Sequence, residues 1–179
     1  MKGSRIYLGL GSNLGNSREK LRMATERVRE RVGRVAATSR VYTSDPWGYE
    51  SEHRFMNCCL AVETGLDPLE VMDEILSIER EMGRPARGDT NEMSPDQAGR
   101  NTPGDIYKDR LIDIDLLLYE DLVMDHPRLK VPHPGMEQRR FVLVPLAEIA
   151  PDLVHPVHRI TIREMLERCP DASEVRPVS

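Results

Sequence analysis

The sequence predicts an α+β fold, a ferredoxin-like α/β sandwich with a mainly antiparallel sheet and helices packed on it. Three observations predict it. Strand-like and helix-spaced apolar runs follow one another as β-α-β-β-α-β, with additions at the end. The helical runs carry their own start signals, Asn16 with Glu19, Asp67-Pro68 with Glu70, and Thr161 with Glu164. At 179 residues, 39% of them hydrophobic, the chain is long enough to bury a core without a disulfide or metal staple. That length predicts a single domain over residues 1–179.

The elements run in order along the chain. Arg5-Ile6-Tyr7-Leu8-Gly9-Leu10 has strand character and breaks at Gly11-Ser12-Asn13-Leu14-Gly15. Gly9-Leu10-Gly11 with Gly15 fails as a dinucleotide fingerprint, because the third glycine falls one residue late, and no Gly-Lys-Ser/Thr follows for a P-loop. These glycines instead predict a tight strand-to-helix turn, with Asn13 placed to hydrogen-bond neighbouring loops. Leu21, Ala24, Val28 and Val32 then recur at helical spacing, and Gly33 supplies the stop. Strands are expected near 35–43 and 55–64. The next helix opens at Asp67-Pro68, carries Leu69, Met72, Leu76 and Glu79 on one side, and ends at Gly83. Residues 88–106 hold three Gly, two Pro and almost nothing to bury, which predicts a long mobile loop. Strand pattern resumes from Leu111 to Tyr119. Phe141-Val142-Leu143-Val144 is a short apolar run closed by Pro145, and Thr161 starts a last short helix.

Composition excludes several classes of function. Twenty-five basic against thirty acidic side chains leave a net charge of −5, which opposes bulk binding of nucleic acid. No apolar run reaches the roughly 18 residues a membrane span needs. Three cysteines, two of them adjacent, have no metal-ligand spacing and predict no disulfide framework. The chain reads as a cytoplasmic domain acting on small molecules.

The sharpest chemical signal is Leu111-Ile112-Asp113-Ile114-Asp115-Leu116-Leu117-Leu118. In a strand Asp113 and Asp115 point to one face, while Ile112, Ile114, Leu116 and Leu118 point to the other. Two neighbouring carboxylates repel unless something positive lies between them, and Mg²⁺ takes carboxylate oxygens while keeping positions open for phosphates. Two such ions would clamp a phosphoryl displacement. The alternative is an edge strand with one solvated face. Arg84, Arg87, Arg100, Lys108 and Arg110 flank the loop that leads into this strand, and arginine forks suit phosphate oxygens. Trp47, Phe55 and Phe141 are scarce aromatics, and the last two neighbour Asn57 and Arg139-Arg140. A flat heterocycle between two rings, its edge read by the Asn57 amide, is one reading; core packing is the other. His133 lies between two prolines and is a candidate for phosphate contact or proton transfer.

Seven motifs occur in a shared order from about Ile6 to Pro156. They are Gly11-Ser12-Asn13-Leu14-Gly15, Phe55-Met56-Asn57 with Ala61-Val62-Glu63-Thr64, Ile78-Glu79-Arg80 with Gly83-Arg84, Arg110 to Leu116, Val131-Pro132-His133-Pro134, Arg139 to Leu143, and Pro145 to Pro151. In that order they resemble the 6-hydroxymethyl-7,8-dihydropterin pyrophosphokinases of folate biosynthesis. The resemblance implies a diphosphokinase that uses ATP as co-substrate and two Mg²⁺ ions and releases AMP and the pterin diphosphate. It implies Asp113 and Asp115 as ligands of both ions, with Arg84 and Arg110 handling the phosphates as catalytic residues. It implies Glu79, Leu116, Leu129, Lys130, His133 and Arg139 around ATP, with the Leu69–Leu76 helix face near the adenine. Ser44, Pro46, Trp47, Phe55, Asn57 and Phe141 would hold the pterin. A monomer without nucleic-acid or membrane partners is expected. Against the family pattern, the loop between Arg84 and Arg110 is long, Asp45 stands where proline is usual, Leu76 takes the place of a possible polar nucleotide contact, and Phe55 replaces a tyrosine.

Overall fold

A computed structural model describes residues 3–45, 53–83 and 111–178. Pro46, Trp47, Arg84, Arg87, Arg100, Lys108, Arg110 and the 88–106 loop lie outside the described residues.

Strand β1 (Ser4–Ser12) organises the sheet, because its alternate residues bury on both faces. It pairs antiparallel with β4 (Phe55–Thr64) on one side and β5 (Asp113–Tyr119) on the other. The expected 35–43 strand is two strands, β2 (Arg34–Thr38) and β3 (Tyr42–Ser44), which pair with opposite ends of β4. The break falls where the Ser39 hydroxyl accepts the Cys59 N–H at 2.9 Å, so a side chain replaces one rung of the ladder. The C-terminal β8 (Val175–Pro177) completes the order β5-β1-β4-β3-β8, and β6 (Met124–His126) with β7 (Leu129–Val131) forms a separate hairpin.

Helices α1 (Ser17–Arg31) and α2 (Pro68–Glu81) cover one face, where Ile6, Leu8, Leu60, Ile75 and Ile114 are buried together. Helices α3 (Arg140–Ile149) and α4 (Ile162–Glu167) cover the other, over Tyr7, Cys59, Leu117 and Leu143. Leu118 belongs to this second face, contrary to strict alternation. Tyr7 pairs with Leu118 but Leu8 with Leu116, so a bulge at Leu117 adds one residue and reverses the facing of Leu118.

Caps at Asp67/Glu70 and Thr161/Glu164 form as reciprocal boxes. At α1 only half forms. Asn16 accepts the Glu19 N–H at 3.2 Å, while the Glu19 carboxylate turns to Arg22. Gly33 is not a left-handed stop. A Cβ there would stand 2.1 Å from the Glu63 carbonyl oxygen, so glycine is required by the close approach of β4. Gly83 does end α2 with φ of 96°. The buried stripe of α2 runs through Val71, Ile75, Ile78 and Glu79, which leaves Leu69, Met72 and Leu76 half-buried at its margin. Pro145 does not close the run before it but sits inside α3. The proline forfeits one helical hydrogen bond, and burial of Leu143 and Leu146 against the sheet offsets that loss.

Beyond α3, His155 is 3% exposed and accepts the N–H groups of Val157 and His158 on Nδ1, at 3.2 and 3.1 Å. Burial, followed by the His158 ring 4.7 Å away, lowers its pKa from the ordinary 6.5, and Glu137 opposes them weakly. The unfolded chain therefore takes up a proton before the folded one does, and this contribution to stability falls as pH drops below 6.5. The urea midpoint is expected to fall between about pH 8 and about pH 5, and less steeply in His155→Gln.

Candidate active site

The strand register assembles the site. Asp113 on β5 lies opposite Gly11 on β1, Gly11 opposite Asn57 on β4, and Asn57 opposite Tyr42 on β3. Paired residues in a ladder project to the same face, so one row crosses four strands on the α3 side of the sheet. One step along, Asp115 faces Gly9 and Gly9 faces Cys59. Gly9 and Gly11 are thus extended strand residues inside β1 rather than parts of a turn, and the turn itself comes at residues 13–16. At Gly9 the Leu117 side chain packs over the position a Cβ would take, whereas at Gly11 that position borders the Asn57 amide and the Phe55 ring. A Cβ at Gly11 would meet Asn57 Oδ1 at 3.0 Å and Phe55 Cδ1 at 3.7 Å.

The side chains around this row are held in place. The Ser12 hydroxyl donates to the Leu111 carbonyl, tying the start of β5 to the end of β1 beside Asp113. Asn57, 5% exposed, donates from Nδ2 to the Ser44 hydroxyl at 2.7 Å. Ser44 itself pairs with Phe55 across the β3–β4 ladder. Asn13, also buried, donates to the His53 carbonyl at 3.3 Å and braces the next loop. Phe141 stands in the first turn of α3 directly after Arg139 and Arg140.

The β6–β7 hairpin closes the other flank. After the cis Val131–Pro132 bond, the His133 N–H donates to the Leu117 carbonyl at 2.9 Å, which brings His133 Nε2 to 3.9 Å from Asp115 Oδ1. Behind this pair lies a cavity of about 250 Å³. Met72, Ile114, Leu116 and Leu129 are its apolar lining, and Asp115, Arg128, Lys130 and His133 line it with charged or polar groups. Of the candidate helix face, Met72 reaches this cavity, whereas Leu69 lines a larger, apolar hollow of about 520 Å³ at the opposite end of β5. Glu79 is 2% exposed within α2 and does not line either space.

Asp113, Asp115, Leu116, Leu129, Lys130 and His133 are therefore brought together, with Ser44, Phe55 and Asn57 two and three strands away on one floor. The helix face expected near the adenine divides, since Met72 lines this cavity and Leu69 the other; sequence reasoning missed Arg128, which sits beside Leu129 and pairs with Asp73. It also missed Gly9 and Gly11 as the β1 residues that pair with the acidic strand. Their spacing of two, in register with Asp113 and Asp115, was the available signal. Among the described residues, no group of three or more His, Cys, Asp and Glu side chains converges as a closed metal cage. Two half-buried carboxylates on one face form an open set of hard oxygen donors, which fits Mg²⁺ completed by water and phosphate.

Residues 7–151 match the family model described as 7,8-dihydro-6-hydroxymethylpterin-pyrophosphokinase, HPPK. The chain is 41% identical to the 2-amino-4-hydroxy-6-hydroxymethyldihydropteridine pyrophosphokinase of Porphyromonas gingivalis over 84% of its own length and 93% of that protein. With the enzyme of the same name from Aquifex aeolicus the identity is 37%, over 89% and 88%. Its fold is similar to the HPPK-DHPS of Plasmodium falciparum solved with pterin and p-hydroxybenzoate, at a TM-score of 0.69 and 18% identity. That similarity covers 93% of this chain but 43% of the solved one, so this chain spans less than half of it.

Proposed function

We propose that this chain, which belongs to the 7,8-dihydro-6-hydroxymethylpterin-pyrophosphokinase family, binds its two substrates on either side of the Asp113–Asp115 strand. The reaction moves the pyrophosphoryl group of ATP to 6-hydroxymethyl-7,8-dihydropterin, a step in folate biosynthesis. The substrate hydroxyl oxygen bonds to the β-phosphorus and the bond to the α,β-bridging oxygen breaks. AMP leaves carrying that oxygen, and the hydroxyl proton passes to solvent.

The observation that carries the placement is the row Asp113–Gly11–Asn57, with the 250 Å³ cavity opening on its far side at Asp115. A pterin ring on the glycine floor has its amide edge at Asn57 and Ser44, and Phe55 and Phe141 supply stacking faces. Pro46 and Trp47 belong to the same pterin site in this reading. The adenine takes the apolar cavity between Met72, Leu116 and Leu129, beside Arg128 and Lys130. The phosphates then run from the cavity mouth past His133 and Asp115 toward Arg139, and Arg84 and Arg110 are the catalytic cations that neutralise charge developing during transfer. Glu79 acts on the ATP side through α2. Asp113 and Asp115 hold two Mg²⁺ ions, which when bound supply positive charge to the phosphate oxygens. In this reading the described residues contribute mainly alignment, with the row and the cavity setting the two substrates relative to each other.

Incubation with ATP, Mg²⁺ and the reduced pterin alcohol is expected to give AMP and the pterin diphosphate; ADP as the nucleotide product overturns the reading. Phe141→Ala is expected to weaken pterin binding about tenfold through lost stacking and burial, with ATP affinity nearly unchanged. Equal losses for both ligands would make Phe141 a core residue instead. We further place the protein in the cytoplasm as one domain and a monomer, acting on small molecules rather than nucleic acid or membrane. The net charge of −5 opposes bulk binding of nucleic acid, and among the described residues no helix is long and apolar enough to cross a membrane. Sedimentation as a single 20.4 kDa species tests the monomer.

A further inference from the structure

The family match ends at residue 151, yet the chain continues into a segment that touches two walls of the site. Its last strand, β8, pairs with β3 along its whole length, Ser44 against Val175 and Tyr42 against Pro177. Upstream of β8, Asp171 reaches the opposite wall. One carboxylate oxygen accepts the Arg140 backbone N–H at 3.1 Å, and the other accepts the Ser173 N–H at 2.9 Å. Helix α3 begins at Arg140, and its own N-cap residue Arg139 makes no side-chain cap bond. Asp171 therefore caps α3 from 31 residues away, placing a carboxylate at the positive end of the helix. Burial of this carboxyl is outweighed by hydrogen bonds from Ser173 and Arg140, which hold it below the ordinary carboxylate range and keep it ionised as an acceptor.

The capped peptide group joins Arg139 to Arg140, immediately before Phe141. We infer that Asp171 is a positioning residue for pterin binding: it fixes the first turn of α3, and with it the Phe141 ring, while β8 fixes Ser44 on the facing wall. This inference rests on the placement of the pterin proposed above. Without the cap, the first turn of α3 frays and the ring loses its set distance from the glycine floor, although no group that touches substrate has been removed.

The test is a double-mutant cycle on the full chain, read as pterin and ATP affinity by equilibrium binding well below the melting temperature. Asp171→Ala is expected to weaken pterin binding about tenfold and ATP binding by a clearly smaller factor, carried by Arg139 at the other end of the capped peptide group. Asp171→Asn, which keeps an acceptor oxygen for the Arg140 N–H, is expected to recover most of the loss. Since Asp171 acts through Phe141, the double variant Phe141→Ala/Asp171→Ala is expected to bind pterin no more weakly than Phe141→Ala alone. Additive losses, equal losses for both ligands, or a lowered melting temperature with unchanged pterin affinity would each overturn the inference. If Phe141→Ala itself leaves pterin affinity unchanged, the placement of the pterin falls and this inference falls with it. If Phe141→Ala weakens pterin binding and Asp171→Ala does not, only the positioning role of Asp171 fails.

Discussion

Asp113→Asn and Asp115→Asn are each expected to lower turnover by on the order of a thousandfold while leaving the fold intact. Both carboxylates are half-buried on the edge strand β5, and asparagine keeps their shape. The strand is held by its ladder to β1 and by Ile114 and Leu116 on the other face, neither of which the substitution touches. Removing one of two neighbouring negative charges relieves repulsion, while Asp115→Asn also gives up the charge that faces His133 Nε2 at 3.9 Å, so the melting temperature should change little. What is lost is the open pair of oxygen donors on which ATP phosphates and Mg²⁺ are proposed to meet. The measurement is AMP release at saturating substrates, with thermal unfolding alongside. Turnover within about threefold of the unsubstituted protein would remove the pair from the chemistry.

The acidic pair was legible because alternation is a local property: two Asp at a spacing of two, within apolar residues, already specify one face of a strand. The order of elements along the chain was legible for a similar reason, since the β-α-β-β-α-β alternation and the caps at Asp67 and Thr161 depend on residues close in sequence. Features set by a neighbouring strand were not. Gly33 looks like a helix stop from its own segment, and only the Glu63 carbonyl beside it gives the true reason for glycine. The bulge at Leu117 is a mismatch between β5 and β1, so neither strand alone announces that Leu118 changes face. Pro145 looked like a terminator because the burial that outweighs it comes from the sheet beneath α3.

The candidate site divides along the same line. The Asn57 and His133 positions came from motif order, whereas Arg128 and Met72 belong to no compact motif and converge on one cavity only through the β6–β7 hairpin and α2. Asp171 lies beyond the family match altogether and meets α3 across 31 residues. Its partner is a backbone N–H, which no pattern of side chains can reveal.

Gly11→Val is expected to be the most damaging change that removes no polar group from the site. The Cβ alone would come 3.0 Å from Asn57 Oδ1 and 3.7 Å from the Phe55 ring, and two further methyl groups would crowd those same side chains. The nearest atoms are side-chain ends rather than strand backbone, and β-branched residues suit extended conformations, so β1 should still form. The added volume therefore falls on the proposed pterin floor and displaces the Asn57 amide. Overpacking of about 1–3 kcal/mol at that contact corresponds to roughly a fivefold to 150-fold loss of pterin affinity, and the upper end is expected here because the Asn57 amide and its Ser44 partner also move. ATP affinity should change little, since the cavity lies beyond β5. Gly9→Ala is the internal control: its Cβ would meet the Leu117 side chain at 3.4 Å, an ordinary contact, and pterin affinity should stay within about threefold. Equal effects at the two glycines, or a loss of ATP binding as large as that of pterin, would show that the glycine floor does not receive the pterin ring.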